Sequence, residues 1–340
     1  MKIEKTNFGE TNGRQIDKYR LTNKRGTRIS LITLGATWQE FSALEADKRQ
    51  QLIVGFDNLA DYVNTTYYLC KAVGRVAGRI AKAEFKLDGK NYKIENNEGG
   101  NALHGGSHGF SFINWDAHTE ESAEQASVIF THQIKSSDDQ YPGNLQVTIT
   151  YTLDENDDVH VRFTGESDQA TLFNPTIHTY FNVTDTQHDL KTQWLKINSS
   201  KRLELASDKL PTGRFITVQD TNYDFQRPQN VQQVLNKLQE DTNTIELDDA
   251  FLVNTADEEP VAEIGDTAGK RQVKIYSKRN AVVVFTTNPL DPVREQQHDF
   301  NALAIECQTL PDAIHHQNFG DITIPADQTV TQEIIYQYKH

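Results

Sequence analysis

Period two dominates this chain. Short runs in which apolar and polar residues alternate, RISLITL, AEFKLDG, NYKIE, LQVTITYTL, VHVRFTG, QVKIYS, AVVVFTT and DITIPA, recur along its length. Successive side chains of a strand point to opposite faces, so each run predicts a strand with one face turned to a core. Turn signals separate the runs: Asp88-Gly89 reads as a tight hairpin, and residues 154–158, DENDD, as a polar turn between two strands. Helical spacing is best developed in NVQQVLNKLQED, where Val231, Val234, Leu235 and Leu238 predict a short amphipathic surface helix. No fixed-period repeat suggests a propeller or solenoid, and no Pro/Gly/Ser-rich linker divides the chain. At 340 residues it could hold two average domains, but large all-β sandwiches often exceed the usual domain size. The expectation is an all-β fold: a single large antiparallel β-sandwich with a few short helices, one domain over residues 1–340, and an active cleft on one sheet.

Charge narrows the function. Asp and Glu total 48 against 34 Lys and Arg, a net charge of -14, which opposes binding to nucleic acid or an anionic membrane surface. A neutral or cationic partner fits better. No apolar stretch approaches the ~18 residues that span a bilayer, and the start MKIEKTNFGE lacks the apolar core of a signal peptide, which predicts a cytoplasmic protein. Cys70 and Cys307 are the only cysteines, so stability has to come from a hydrophobic core rather than disulfides.

Chemistry-bearing residues stand out in widely separated segments. His104 precedes a glycine pair, Gly105-Gly106, that lets the backbone turn sharply and approach a ligand; the same three residues also suit a surface turn. His108 nearby reads as exposed and idle. His178 lies in FNPTIHTYFN, where a strand would give it a shared face with Thr176 and Tyr180, polar and aromatic as a sugar site would be. A core histidine satisfied by the backbone fits that position too. Glu306 interrupts the apolar strand ALAIECQ; burial would raise its pKa toward neutrality and suit it to act as a base, although a structural ion pair is the competing reading. Asp248 sits at a strand start, where a loop carboxylate is also ordinary. In VGRVAGRI, small residues alternate with Arg75 and Arg79, whose guanidinium forks suit sugar oxygens. The glycine spacing there matches neither GxGxxG nor GxxxxGK[ST], which argues against a nucleotide site.

Taken in order, Ala77-Gly78-Arg79-Ile80, Leu103-His104-Gly105-Gly106, Tyr141-Pro142-Gly143, Asn174-Pro175-Thr176 with His178 and Tyr180-Phe181-Asn182, Asp248 before Phe251-Leu252, and Glu306-Cys307-Gln308 resemble the aldose 1-epimerase (galactose mutarotase) family. The resemblance runs from Leu34-Gly35-Ala36 to residues 320–324 and implies that family's large β-supersandwich. It further implies that Glu306 is the general base and His178 the general acid, while Arg79, His104 and Asp248 hold the sugar. Two opposed proton-transfer groups, each contributing roughly 10²–10⁴-fold, suffice to open a pyranose, so no metal, nucleotide or covalent intermediate is called for. They should face one cleft with room for a sugar ring between them. Tyr180 or Phe285 could pack on the sugar's apolar face, though Phe285 fits the core equally well. Gly78-Arg79 replaces an Asn-Arg pair found in many members. Galactose, glucose and maltose all remain open as the sugar, and monomer and homodimer as the assembly. A non-catalytic sugar-binding sandwich and a hexose-6-phosphate epimerase are the rival readings.

Overall fold

The alternating runs become antiparallel strands almost residue for residue: QVKIYS forms Gln272–Ser277, AVVVFTT forms Ala281–Thr287, and LQVTITYTL lies within Leu145–Asp154. The computed structural model describes residues 1–242, 246–255, 258–287 and 300–339. Asp88 and Gly89, both with positive φ, close the hairpin between Glu84–Leu87 and Lys90–Lys93. The helix expected near residue 230 spans Val231–Thr242 and buries Val231, Val234, Leu235 and Leu238.

Among the described residues the strands assemble into antiparallel sheets of nine, six and five, with smaller two-stranded ribbons. The nine-stranded sheet is built around Leu145–Asp154, Asp158–Ser167 and Thr329–Lys339, the six-stranded one around Ala302–Gln308, and the five-stranded one carries the N-terminal strands through Lys48–Gln51. Along Leu145–Asp154 every odd-numbered residue is fully buried, which is the period-two pattern made physical. The core lies between the sheets. Trp38 of the five-stranded sheet meets Tyr336 of the nine-stranded one at 5.0 Å between ring centroids, and Tyr336 meets Phe181 of the six-stranded sheet at 5.9 Å. The architecture is the expected large antiparallel sandwich. No helix among the described residues is long and apolar enough to cross a membrane.

Two local expectations are corrected. The segment holding His178 is not one strand: Thr176–Ile177 pairs with Ala72–Val73, whereas Thr179–Phe181 pairs with residues 303–305 across the next interface. At His178 the backbone bonds switch, its N–H donating to Lys71 O and its carbonyl accepting from Cys70 N, both at 3.0 Å. The cause is on the neighbouring segment, where Tyr68 and Cys70 have positive φ and end the regular ladder. The run DITIPA yields only the two-residue strand Thr323–Ile324, because Pro325 has no N–H with which to continue the ladder.

Candidate active site

Register gathers the candidate residues from distant parts of the chain. In the six-stranded sheet Tyr180 lies opposite Ala304, Ala304 opposite Phe285, and Phe285 opposite Asp248. One row along, Glu306 faces Val283 and Val283 faces Ala250. Residues in a row point the same way, as do those two apart on a strand, so these side chains share one face with Gln308. They form one wall of a cleft of about 220 Å³. The other face of Ala302–Gln308 sends Leu303, Ile305 and Cys307 into the core. The cleft's remaining walls come from Thr66, Tyr67, Tyr68, Gly78, Arg79, Glu98 and His104, with Leu205, Lys209 and Pro311 at its edge. Phe285, open between core and site in the sequence, lines the cleft with its ring 6.3 Å from that of His178.

His104 owes its position to the backbone around it. It takes a positive φ of 54°, and Gly105 follows at 83°. A Cβ on Gly105 would stand 1.9 Å from Gly74 O, so glycine is required by close approach to protein backbone, not to a ligand as the sequence suggested. Gly78 N–H donates to His104 Nδ1 at 3.2 Å. That bond leaves Nε2 as the protonated nitrogen of the neutral ring. Burial, then the proximity of His178 and Arg79, holds the His104 pKa well below the usual histidine value.

Glu306 and His178 meet in the cleft, with Nε2 of the imidazole 3.4 Å from Oε1 of the carboxyl group. The pair therefore stands side by side, with no space for a ring between these atoms, contrary to the expected opposed arrangement. Both are almost inaccessible, at 2% and 5% exposure. Burial pushes Glu306 up to about 8, reinforced by Asp248 and opposed by Arg79 and Arg279. Burial also pushes His178 down to about 4, against weaker opposing effects of its own backbone and Asp248. Desolvation thus disfavours charge on both, so the unliganded pair keeps its proton on the carboxyl group near neutrality. The sequence expectation of a protonated His178 facing an ionised Glu306 is inverted in the free site. Glu306 Oε2 and His178 Nδ1 have no hydrogen-bond partner among the described residues.

The other candidates separate. Arg79 lines the cleft and is held by Glu98, Nε donating to Oε2 and Nη2 to Oε1, both at 2.7 Å. Asp248 lines it too, with Lys209 Nζ 3.3 Å from its carboxylate. Arg75 does not reach the cleft: it is fully buried and forks onto Asp139, while the carbonyls of Pro142 and Gly143 accept from it, which gives the Tyr141-Pro142-Gly143 motif a structural role. His108 is exposed and outside the cleft. Thr176 turns away, its hydroxyl donating to Cys307 O. Sequence reasoning missed Tyr68, Glu98 and Lys209, which sit in irregular segments where no periodicity marks a functional face. His104, His178 and Glu306 each bring one ligand atom within 4.8 Å of the others, a spacing a cation could bridge, although proton transfer requires none.

A family model described as aldose 1-epimerase matches residues 17–337. A maltose epimerase of Levilactobacillus brevis is 54% identical over 338 residues, covering 99% of each chain. An aldose 1-epimerase of Streptococcus thermophilus is 36% identical over 99% of each. Among solved structures, galactose 1-epimerase from Lactobacillus acidophilus NCFM superposes with a TM-score of 0.86 at 24% identity, over 99% of this chain and 98% of that one, a likeness of fold.

Proposed function

The chain belongs to the aldose 1-epimerase family, and on that premise we propose that Glu306 is the base and His178 the acid that open and reclose an aldose ring in this cleft. The protein is an isomerase that interconverts sugar anomers. The observation that carries the residue assignment is the 3.4 Å approach of Glu306 and His178 within the cleft. The anomeric hydroxyl and the ring oxygen are bonded to the same carbon, so a base and an acid standing side by side can reach both oxygens from one wall.

In ring opening Glu306 takes the proton of the C1 hydroxyl while His178 protonates the ring oxygen and the bond from C1 to that oxygen breaks. The open-chain aldehyde rotates about C1–C2 and presents its other face. Reclosure runs the transfers backwards: His178 accepts the proton of the C5 hydroxyl, and Glu306 returns one to the carbonyl oxygen. The open-chain stage therefore has a protonated Glu306 and a neutral His178, the arrangement that burial favours in the free site. Starting the cycle requires the opposite tautomer. Arg79 and Arg279 favour the carboxylate electrostatically, and Oε2 of Glu306 is free to accept a sugar hydroxyl. His104 donates through Nε2, Arg79 offers the fork donors that Glu98 leaves unused, and Asp248 accepts from a hydroxyl at the cleft edge. Tyr180 and Phe285 give the ring's apolar face a partner.

Neutral aldoses such as galactose, glucose and maltose are the proposed substrates; maltose gains weight from the epimerase of that name at 54% identity. A phosphorylated sugar fits less well, because the charges of Arg79 and Lys209 are already offset by the Glu98 and Asp248 carboxylates, which leaves little net positive charge for a phosphate. The test is polarimetric. Glu306→Gln keeps the shape but cannot take the proton, so the decay of optical rotation of a fresh α-anomer should slow by about 10²–10⁴-fold toward the buffer rate. Sugar affinity should stay within about tenfold. Near-normal turnover would remove Glu306 from this role.

A further inference from the structure

Gln308 stands two residues beyond Glu306 on the same strand, so its side chain shares the cleft face, and it lines the cleft. It is 1% exposed, yet neither its amide oxygen nor its amide nitrogen has a hydrogen-bond partner among the described residues. A carboxamide offers two donor hydrogens and a doubly accepting oxygen. Leaving all of them unmade in a buried position is destabilising, and native proteins rarely tolerate it without cause. Nothing in the proton-transfer scheme uses this side chain.

Beside it lies Gly78, with a positive φ of 75°. A Cβ there would come to 3.3 Å from Gln308 Oε1 and 3.1 Å from Pro311 Cβ. The bare backbone at 78 therefore leaves open the space beside the amide oxygen. Gly78 also fixes His104 through its N–H, so one glycine both orients the histidine and clears the approach to the carboxamide.

We propose that Gln308 is a sugar-binding residue, whose carboxamide donates to one ring hydroxyl and accepts from its neighbour, with Gly78 providing the room. The assignment rests on the cleft being the anomerase site, and it deepens that reading by naming what the cleft recognises: a pair of adjacent hydroxyls on the aldose ring. An amide presents its N–H and C=O side by side, which suits adjacent hydroxyls, each able both to donate and to accept. Sugars that lack or invert one of the pair leave half of the amide unpaired and bind more weakly.

The experiment uses Gln308→Met, which keeps length and removes both polar atoms. KM for glucose should rise by about 10- to 100-fold, with a smaller change in kcat, and Tm should hold or increase because a buried unpaired group has gone. The deciding measurement repeats the comparison with 2-, 3-, 4- and 6-deoxyglucose. For the analogues lacking a hydroxyl that Gln308 holds, the difference between wild type and variant should shrink to within about threefold. An equal penalty across glucose and every deoxy sugar, or an unchanged KM for glucose, overturns the proposal. Failure of the site reading shows separately: a wild-type protein without mutarotase activity would contradict that reading, while calorimetric binding of the sugar series would still score Gln308.

Discussion

Arg75 and Arg79 come from one short segment, and each forks onto a single carboxylate: Arg75 onto Asp139 at 2.6 and 2.9 Å, Arg79 onto Glu98 at 2.7 Å twice. They differ in what the rest of the fork does. Arg75 spends its remaining donors on Pro142 O, Gly143 O and the Thr171 hydroxyl, each at 3.1 Å, and is wholly inaccessible. The Arg79 guanidinium makes no other hydrogen bond among the described residues, and the side chain keeps 18% of its surface exposed in the cleft. An arginine whose donors are all taken by the protein holds the fold together, whereas one with donors left over at a cleft has them for a ligand.

The largest effect expected from this contrast is on stability. Arg75→Met strands the Asp139 carboxyl group in the interior, a loss of about 3–5 kcal/mol, which should lower Tm by roughly 4–7 °C in calorimetry. The fraction that remains folded should keep a near-normal KM. Arg79→Met should do the reverse: kcat/KM falls about 10- to 100-fold while Tm moves by no more than about 3 °C. If both variants lose stability alike, the distinction fails. The smallest effect belongs to Glu98→Gln, which weakens the clamp on Arg79 without removing it; KM should rise roughly three- to tenfold at constant Tm. A KM equal to wild type would show that Arg79 needs no anchor.

The same contrast shows what was legible in the sequence. Strands, the Asp88-Gly89 hairpin and the helix at Val231–Thr242 follow from local periodicity and turn chemistry, which the chain carries residue by residue. Glu306 was visible because a carboxyl group is costly in an apolar strand, and its placement opposite Val283 realises that cost as full burial. Arg75 and Arg79 could not be told apart locally, since the difference lies in the acceptors that distant Pro142, Gly143 and Thr171 bring to Arg75 and that Arg79 lacks. The switch of partners at His178 was equally hidden, because it depends on the backbone of Tyr68 and Cys70. The contact between Glu306 and His178 is a tertiary fact. Their individual types pointed to proton transfer, but only the 3.4 Å separation shows that the two groups stand close enough to share one proton.

The sharing of that proton is tested most directly by the pH dependence of kcat/KM, with the spontaneous anomerisation subtracted at every pH. With Glu306 pushed up to about 8 and His178 down to about 4, the pair holds one proton between those values. Below the lower value both groups are protonated and no base remains; above the upper value neither has a proton to give. Wild type should show a broad bell whose limbs belong to the coupled pair. In His178→Asn the only group left is the base, so the much-reduced rate should climb with pH as Glu306 ionises instead of falling on the alkaline side. A corrected wild-type rate that stays flat from about pH 5 to 9, or an unchanged alkaline limb in the variant, would contradict a shared proton as the basis of catalysis.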